Sequence, residues 1–322
     1  VLYASLVRSV HHNELVDLDL AKAVLDVAAT NDDLLADSSI LAVDRLCAVT
    51  REHVTVALSG DGADEILAGY STYPATYLAR AWRTVPSPLR DLARRGVERL
   101  PPSTERYNPR DFALRFLRGA ERGAGHDFAS WRIYLDDDDK RALVRHGRLP
   151  DGRAIERYAD AMASSGTLLK RMLVADLTHY LPNDMLVKVD RASMRHGLEV
   201  RVPFLDPDFV TLALSLPSSL LLGPTAEKKR IIRRHVEKRV SKETARRKKR
   251  GFNVPVGEAL KGPLFDVLLD AIRSEPFRSD GPIDVDAVER RARAHRNGEV
   301  DAGFALYAIL ALALWWRTFL RR

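Results

Sequence analysis

The stretch His53–Tyr70, HVTVALSGDGADEILAGY, constrains the fold more than any other part of the 322 residues. Val54, Val56 and Leu58 alternate with smaller or polar neighbours in a β-branched run, which predicts a buried strand of about six residues. The run breaks at Ser59, where Gly60 and Gly62 let the backbone turn sharply and admit a ligand where a Cβ would otherwise stand. Asp61, Asp64 and Glu65 then cluster at the predicted start of a helix. A strand, a glycine turn and a helix start form the phosphate-side edge of a parallel sheet. Val54–Leu58 is therefore expected to be an interior parallel strand, with Ser59–Asp64 at its C-terminal edge. Three carboxylates repel a bare phosphate, so a divalent cation such as Mg2+ is the expected mediator. SGDG alone is more simply an Asp-Gly loop with a carboxylate N-cap. The full run is the more specific signal.

Two later stretches carry further chemistry. In Leu181–Asp206, LPNDMLVKVDRASMRHGLEVRVPFLD, a helix over Met185–His196 puts Lys188, Arg191 and Arg195 on one cationic face and turns Asp190 elsewhere. Spacing alone leaves a solvated basic face and a phosphate site equally open. Glu199 and Arg201 flank Val200 in a short extended piece and are expected to form a structural ion pair. The third stretch, Arg246–Pro255, RRKKRGFNVP, lies at the end of a basic run, Lys228–Arg250. Charge alone makes that run a nucleic-acid or membrane-surface candidate. No aromatic residue interrupts it to stack a base, and Glu227–Val240 fits a solvent-facing helix.

Together the three stretches, in this order, resemble the synthetase domain of the glutamine-hydrolysing asparagine synthetases. Weaker likeness runs from Val1 to the C-terminus, where Trp315-Trp316-Arg317-Thr318-Phe319 matches the family's closing Trp-x-Arg-x-Phe. The resemblance implies ATP and Mg2+ as cofactors, aspartate or another carboxylate as substrate, and amide formation with ammonia through a β-aspartyl-AMP intermediate. It places Ser59, Gly60, Asp64, Asp190 and Arg191 around the nucleotide, with Asp64 on the metal. It gives Asp61 the support of the intermediate and Lys249 the contact with ATP phosphate. Relatives that close a β-lactam ring carry tyrosine at the place of Asp61, so the acid here favours ammonia as acceptor.

The chain also departs from the family. Asn31–Ser39 stands where relatives read Asp-Glu-Pro-Phe-x-Asp-x-Ser; Asp32, Asp37 and Ser39 match, while Leu34 replaces the proline and frees φ. The family's first ATP signature, Ser-Gly-Gly-x-Asp-Ser, does not occur in these residues, and Cys47 is internal rather than the N-terminal cysteine of a glutaminase. The expectation is a synthetase domain incomplete at its start and inactive by itself, drawing ammonia from a glutaminase domain missing here. Its class is α/β: a truncated parallel-sheet, ATP-pyrophosphatase-like nucleotide-binding part over 1–75, and a mainly helical remainder over 76–322. Two alternatives stay open: a specialised amide-forming ligase on a peptide or metabolite carboxylate, and a non-catalytic basic binding protein on the same fold.

Composition sets the outer bounds. With 46% hydrophobic residues the chain can bury a substantial core. A net charge of +7 suits nucleotides and other anions. The single Cys47, a small core thiol by its aliphatic neighbours, excludes an intrachain disulfide framework and fits a reducing, cytoplasmic setting. The most apolar run, Phe304–Trp316, has 13 residues against the ~20 that span a bilayer, and reads as a buried terminal helix. Asp136–Asp139 read as an acidic first turn for the helix after them. Specific nucleic acid and membrane are not expected as partners, and a homodimer is left open.

Overall fold

The first helix, predicted near Leu18–Ala29, runs from Leu20 to Thr30 and is opened by Asp19, whose side chain accepts the Lys22 N–H. In the computed structural model, residues 9–12, 18–100, 109–123, 125–135, 137–145, 153–247 and 254–320 are described. The strand expected around Glu14–Val16, together with Asp136, Lys249, Gly251 and Phe252, lies outside the described residues. A second helix, Ile40–His53, leads into β1, Val56–Leu58. β1 pairs in parallel with β2, Glu199–Arg201, in the register Val56–Glu199, Ala57–Val200 and Leu58–Arg201. Among the described residues these two strands are the whole sheet.

The strand is parallel, as expected, but it is neither interior among the described residues nor buried. Its alternation has the opposite sense. Ala57 and Val200 face the main core, while Val54, Val56 and Leu58 are 43%, 40% and 73% exposed. The core side is taken by the packed helices Ile40–His53 and Leu186–Arg195, which leave room for small Ala57. Parallel strands are ordinarily covered on both faces, so apolar residues on the second face are in keeping with the strand type.

Beyond Tyr70 the described chain is helical apart from β2 and one antiparallel bridge, Val144–Ile283. The segment bounded by Pro86 and Pro102 forms the helix Ser87–Glu98. Asp137–Asp139 fill the first turn of Asp137–Leu143, and Arg230–Arg239 is helical within the basic run. The largest core joins the first two helices to Pro263–Arg273, Val285–Arg296 and Gly303–Phe319, with Leu268, Phe277, Leu306 and Leu310 fully buried. Cys47 belongs to this core, where burial pushes its thiol up to about 11. A second core gathers Ile66, Leu67, Tyr73, Phe128, Leu169, Met172 and Leu173. Gly303–Phe319 anchors itself through Trp316, edge-on to Phe277 at 5.8 Å, and Trp315, whose Nε1–H donates to the Asp32 carbonyl at 2.9 Å. No helix among the described residues is long and apolar enough to cross a membrane.

Two substitutions separate the faces of this fold. Phe277→Ala is expected to cost about 3–5 kcal/mol in chemical denaturation, because it opens a cavity in the core. Leu58→Ser is expected to shift stability by less than about 0.5 kcal/mol and to reduce self-association in light scattering. Unfolding by Leu58→Ser on the scale of Phe277→Ala would show that the outer face of β1 is not open.

Candidate functional site

The parallel ladder runs one bond past β1: the Ser59 N–H donates to the Arg201 carbonyl at 2.9 Å. The chain then turns through Gly62, which is left-handed at φ 83 and lies against Leu205; a Cβ there would come within 2.2 Å of Leu205 Cδ2. Gly60 is exposed, and a Cβ there would meet nothing within 4 Å, so its backbone stays open to a ligand. The Ser59 hydroxyl donates to Asp61 Oδ2 at 2.7 Å and aligns that carboxylate. The helix that follows is a single turn, Ala63–Ile66.

The three acids of this loop do not converge. Asp61 turns to Ser59. Asp64 meets the Lys229 ammonium at 2.9 Å. Glu65 points inward, 1% exposed, and accepts the Tyr70 hydroxyl at 2.6 Å; burial raises its pKa. Successive residues on one helical turn point apart, which explains the divergence. Among the described residues no three His, Cys, Asp or Glu side chains gather to hold a metal. Mg2+ commonly takes one or two carboxylates and lets phosphates and water supply the rest. The described residues here form no preformed metal cage, and Asp64, the acid expected on the metal, is ion-paired with Lys229.

The basic face of Leu186–Arg195 is met by acids that precede it by some 150 positions. Lys188, 4% exposed, reaches Asp37 Oδ2 at 2.5 Å; Arg195 and His196 reach Asp44 Oδ1 at 3.0 and 2.9 Å; Arg191 reaches Asp32 at 3.2 Å on the surface. Burial works against the Asp37 charge, but Lys188 and Ser39 outweigh it and lower its pKa. The face is thus an ion-paired seam between this helix and the Asp32–Asp44 segment. Asp190 is exposed, on another side of the helix. Glu199 and Arg201 pair with each other at 2.7 Å, both well exposed.

Between this helix and the glycine loop lies a buried polar cluster that periodicity does not reveal. Asp176–Met185 is a π-helix, with Pro182 inside it. Proline lacks the N–H and crowds the carbonyl four residues back, so the wider turn relieves a conflict, and such turns frequently occur at functional sites. The segment packs against Ala63–Ile66. Arg132 lies between the rings of Tyr70 and Tyr180, 4.4 and 4.2 Å from their centres, and pairs with fully buried Asp176, which also accepts the Tyr73 hydroxyl at 2.7 Å. Asp184, nearer the far end of the π-helix, is pushed up to about 6 by burial and by the Asp37 charge, against the pull of Lys188 and Arg132. Two sequence features mark this cluster: a proline inside a helical pattern, and an acid two residues after it.

The asparagine synthase family profile matches residues 2–317. Among curated proteins, the chain is 30% identical over 287 residues to the "Putative asparagine synthetase [glutamine-hydrolyzing]" of Mycobacterium tuberculosis (strain ATCC 25618 / H37Rv), covering 88% of this chain and 42% of that protein. It is 26% identical over 286 residues to "Asparagine synthetase [glutamine-hydrolyzing] 1" of Bacillus subtilis (strain 168), covering 88% and 44%. A Gallus gallus "Asparagine synthetase [glutamine-hydrolyzing]" is 32% identical over 115 residues, 35% of this chain and 19% of its own. The chain spans less than half the length of these relatives.

Asp184 gives the site a signature in pH. Its folded pKa of about 6 exceeds the ordinary 3.8, so the folded state binds the proton more tightly. Stability from this group is therefore greatest at acid pH and is lost as pH rises from about 4 through about 6, by roughly 2–3 kcal/mol. Asp184→Asn removes that loss. Its stability relative to the parent is expected to be higher at pH 7.5 than at pH 4 by roughly that amount, in urea titrations at the two pH values. A gap independent of pH would show that Asp184 ionises as an ordinary carboxylate.

Proposed function

The chain belongs to the asparagine synthase family, and on that premise we propose that it is the synthetase part of an ATP-dependent amide-forming ligase acting on aspartate. The observation that carries this reading is the Ser59–Gly62 turn at the C-terminal end of a parallel strand, where open α/β sheets bind their ligands. A carboxylate is activated when its oxygen bonds the α-phosphorus of ATP and the bond to the bridging oxygen breaks, releasing pyrophosphate. Ammonia then bonds the acyl carbon, the C–O bond to AMP breaks, and the nitrogen gives up a proton.

The proposed roles rest on the geometry of the described residues and, for Lys249, on its place in the sequence. Ser59 and the open backbone of Gly60 receive phosphate oxygens. Asp61, held by the Ser59 hydroxyl, supports the acyl-adenylate. Asp64 would hold a nucleotide-borne Mg2+, which would supply neutralisation of phosphate charge. Arg191, on the surface and only loosely tied to Asp32, supplies a further cation beside Asp190. Lys249 is assigned to the α-phosphate by its place in the RRKKRGFNVP stretch, since a mobile ammonium follows charge as the phosphorus is attacked.

The test is aspartate-dependent pyrophosphate release, measured without ammonia in the protein as the gene encodes it. Asp61→Asn and Lys249→Ala are each expected to lower it by roughly 10²-fold or more. Near-normal release in Lys249→Ala removes that residue from the site. Normal release with asparagine formation lost in Asp61→Asn moves Asp61 to the ammonia step.

A further inference from the structure

The helix Ser87–Glu98 buries no residue, and along it only Arg90 and Val97 are even partly covered. Large apolar side chains stand in the open there: Leu89, Leu92 and Leu100 are 56%, 66% and 48% exposed. The helical turn runs on past Glu98, since the Arg99 and Leu100 N–H groups donate to the Arg95 and Val97 carbonyls. The three leucines therefore fall at i, i+3 and i+11, on one stripe of the helix. Ala93 and Gly96 lie within that stripe, and a Cβ on Gly96 would meet nothing within 4 Å. The neighbouring helix, Pro109–Glu121, is met on another side, where Arg90 is half-buried and the Arg94 guanidinium lies 3.9 Å from Glu121. With about 3.6 residues per turn, Arg90 and Arg94 border the stripe on one side and Arg95 and Arg99 on the other. Asp91 and Glu98 fall opposite the leucines.

We propose that Ser87–Leu100 lies in the plane of an anionic lipid surface, its leucine stripe among the acyl chains and Arg94, Arg95 and Arg99 on headgroup phosphates. Charge complementarity selects this occupant. Residues 80–122 hold eleven arginines, no lysine and five acids, which is six of the chain's seven net positive charges. An apolar stripe between cationic borders, with the acids turned away, is the order that an interfacial helix requires. A second copy laid on the stripe about a two-fold axis would bring arginine border against arginine border. A nucleic acid would engage the arginines and leave the leucines in water. The expectation of no membrane partner rests on spanning length, which has no bearing on a helix lying in the plane of a surface. None of the residues assigned to the nucleotide lies on this helix, so the proposal stands apart from the ligase reading.

The experiment is co-sedimentation of the protein as the gene encodes it with vesicles of two parts phosphatidylcholine to one part phosphatidylglycerol, against vesicles of phosphatidylcholine alone. The protein is expected to bind the mixed vesicles about 10-fold or more tightly than the neutral ones, and less as NaCl rises. Leu89→Ser/Leu92→Ser and Arg95→Gln/Arg99→Gln change exposed side chains and are expected to melt as the parent does. Each is expected to weaken binding to the mixed vesicles by about 10-fold or more. No binding of the parent to the mixed vesicles, or folded variants that bind as the parent does, overturns the proposal. Binding lost by the arginine variant and kept by the leucine variant also overturns it, because attachment is then by charge alone. Self-association in light scattering that the leucine variant abolishes, with no vesicle binding, overturns it in favour of a second copy.

Discussion

The parallel pairing of β1 with β2 is the constraint on which the rest of the candidate site depends. Three residue pairs, Val56–Glu199 to Leu58–Arg201, join segments more than 140 residues apart, and the Ser59 N–H extends the ladder to the Arg201 carbonyl. That short ladder brings the glycine turn to the segment carrying Asp184, Lys188 and Arg191. Leu205, just beyond β2, then closes on Gly62 so tightly that a side chain there would be displaced. A change of register by one residue would reverse which of Ala57 and Leu58 faces the helices, and the loop would lose its placement with it.

Charge is the second theme. The cations around the site arrive with partners: Lys188 with Asp37, Arg195 with Asp44, Arg191 with Asp32, Lys229 with Asp64, Arg132 with Asp176. Their burial separates them into two groups. Lys188 and Arg132 are almost enclosed, and breaking such a pair leaves an uncompensated buried charge, so these two hold the Asp32–Asp44 segment and the π-helix in place. Arg191 and Lys229 retain exposure and a water-accessible alternative.

Local pattern showed much of this. A β-branched run broken by Ser-Gly-Asp-Gly sufficed to place a turn after a parallel strand, and helix limits at Leu20–Thr30 and Arg230–Arg239 fall within a few residues of those read from the sequence. What stayed hidden was non-local. Alternation identifies two faces but not which one the core takes, and small Ala57, not Val56 or Leu58, proved to be the inward residue. The spacing of Lys188, Arg191 and Arg195 gives a face, while its neutralisation comes from Asp37, Asp32 and Asp44 far upstream. Adjacent Asp64 and Glu65 look like a cluster in one dimension and point apart on a helical turn. The raised pKa of Asp184 comes from burial and from Asp37, neither of which a local window contains.

The central claim is that the glycine turn after β1 and the segment around β2 form one nucleotide-phosphate site. Hydrogen–deuterium exchange of the protein as the gene encodes it, with and without ATP and Mg2+, tests this most directly. The account predicts ATP-dependent protection concentrated in Ser59–Ile66 and in the region from Asp184 to Arg201, with the core helices Pro263–Arg273 and Gly303–Phe319 unchanged. Protection confined to other segments, or none at saturating ATP, would contradict it.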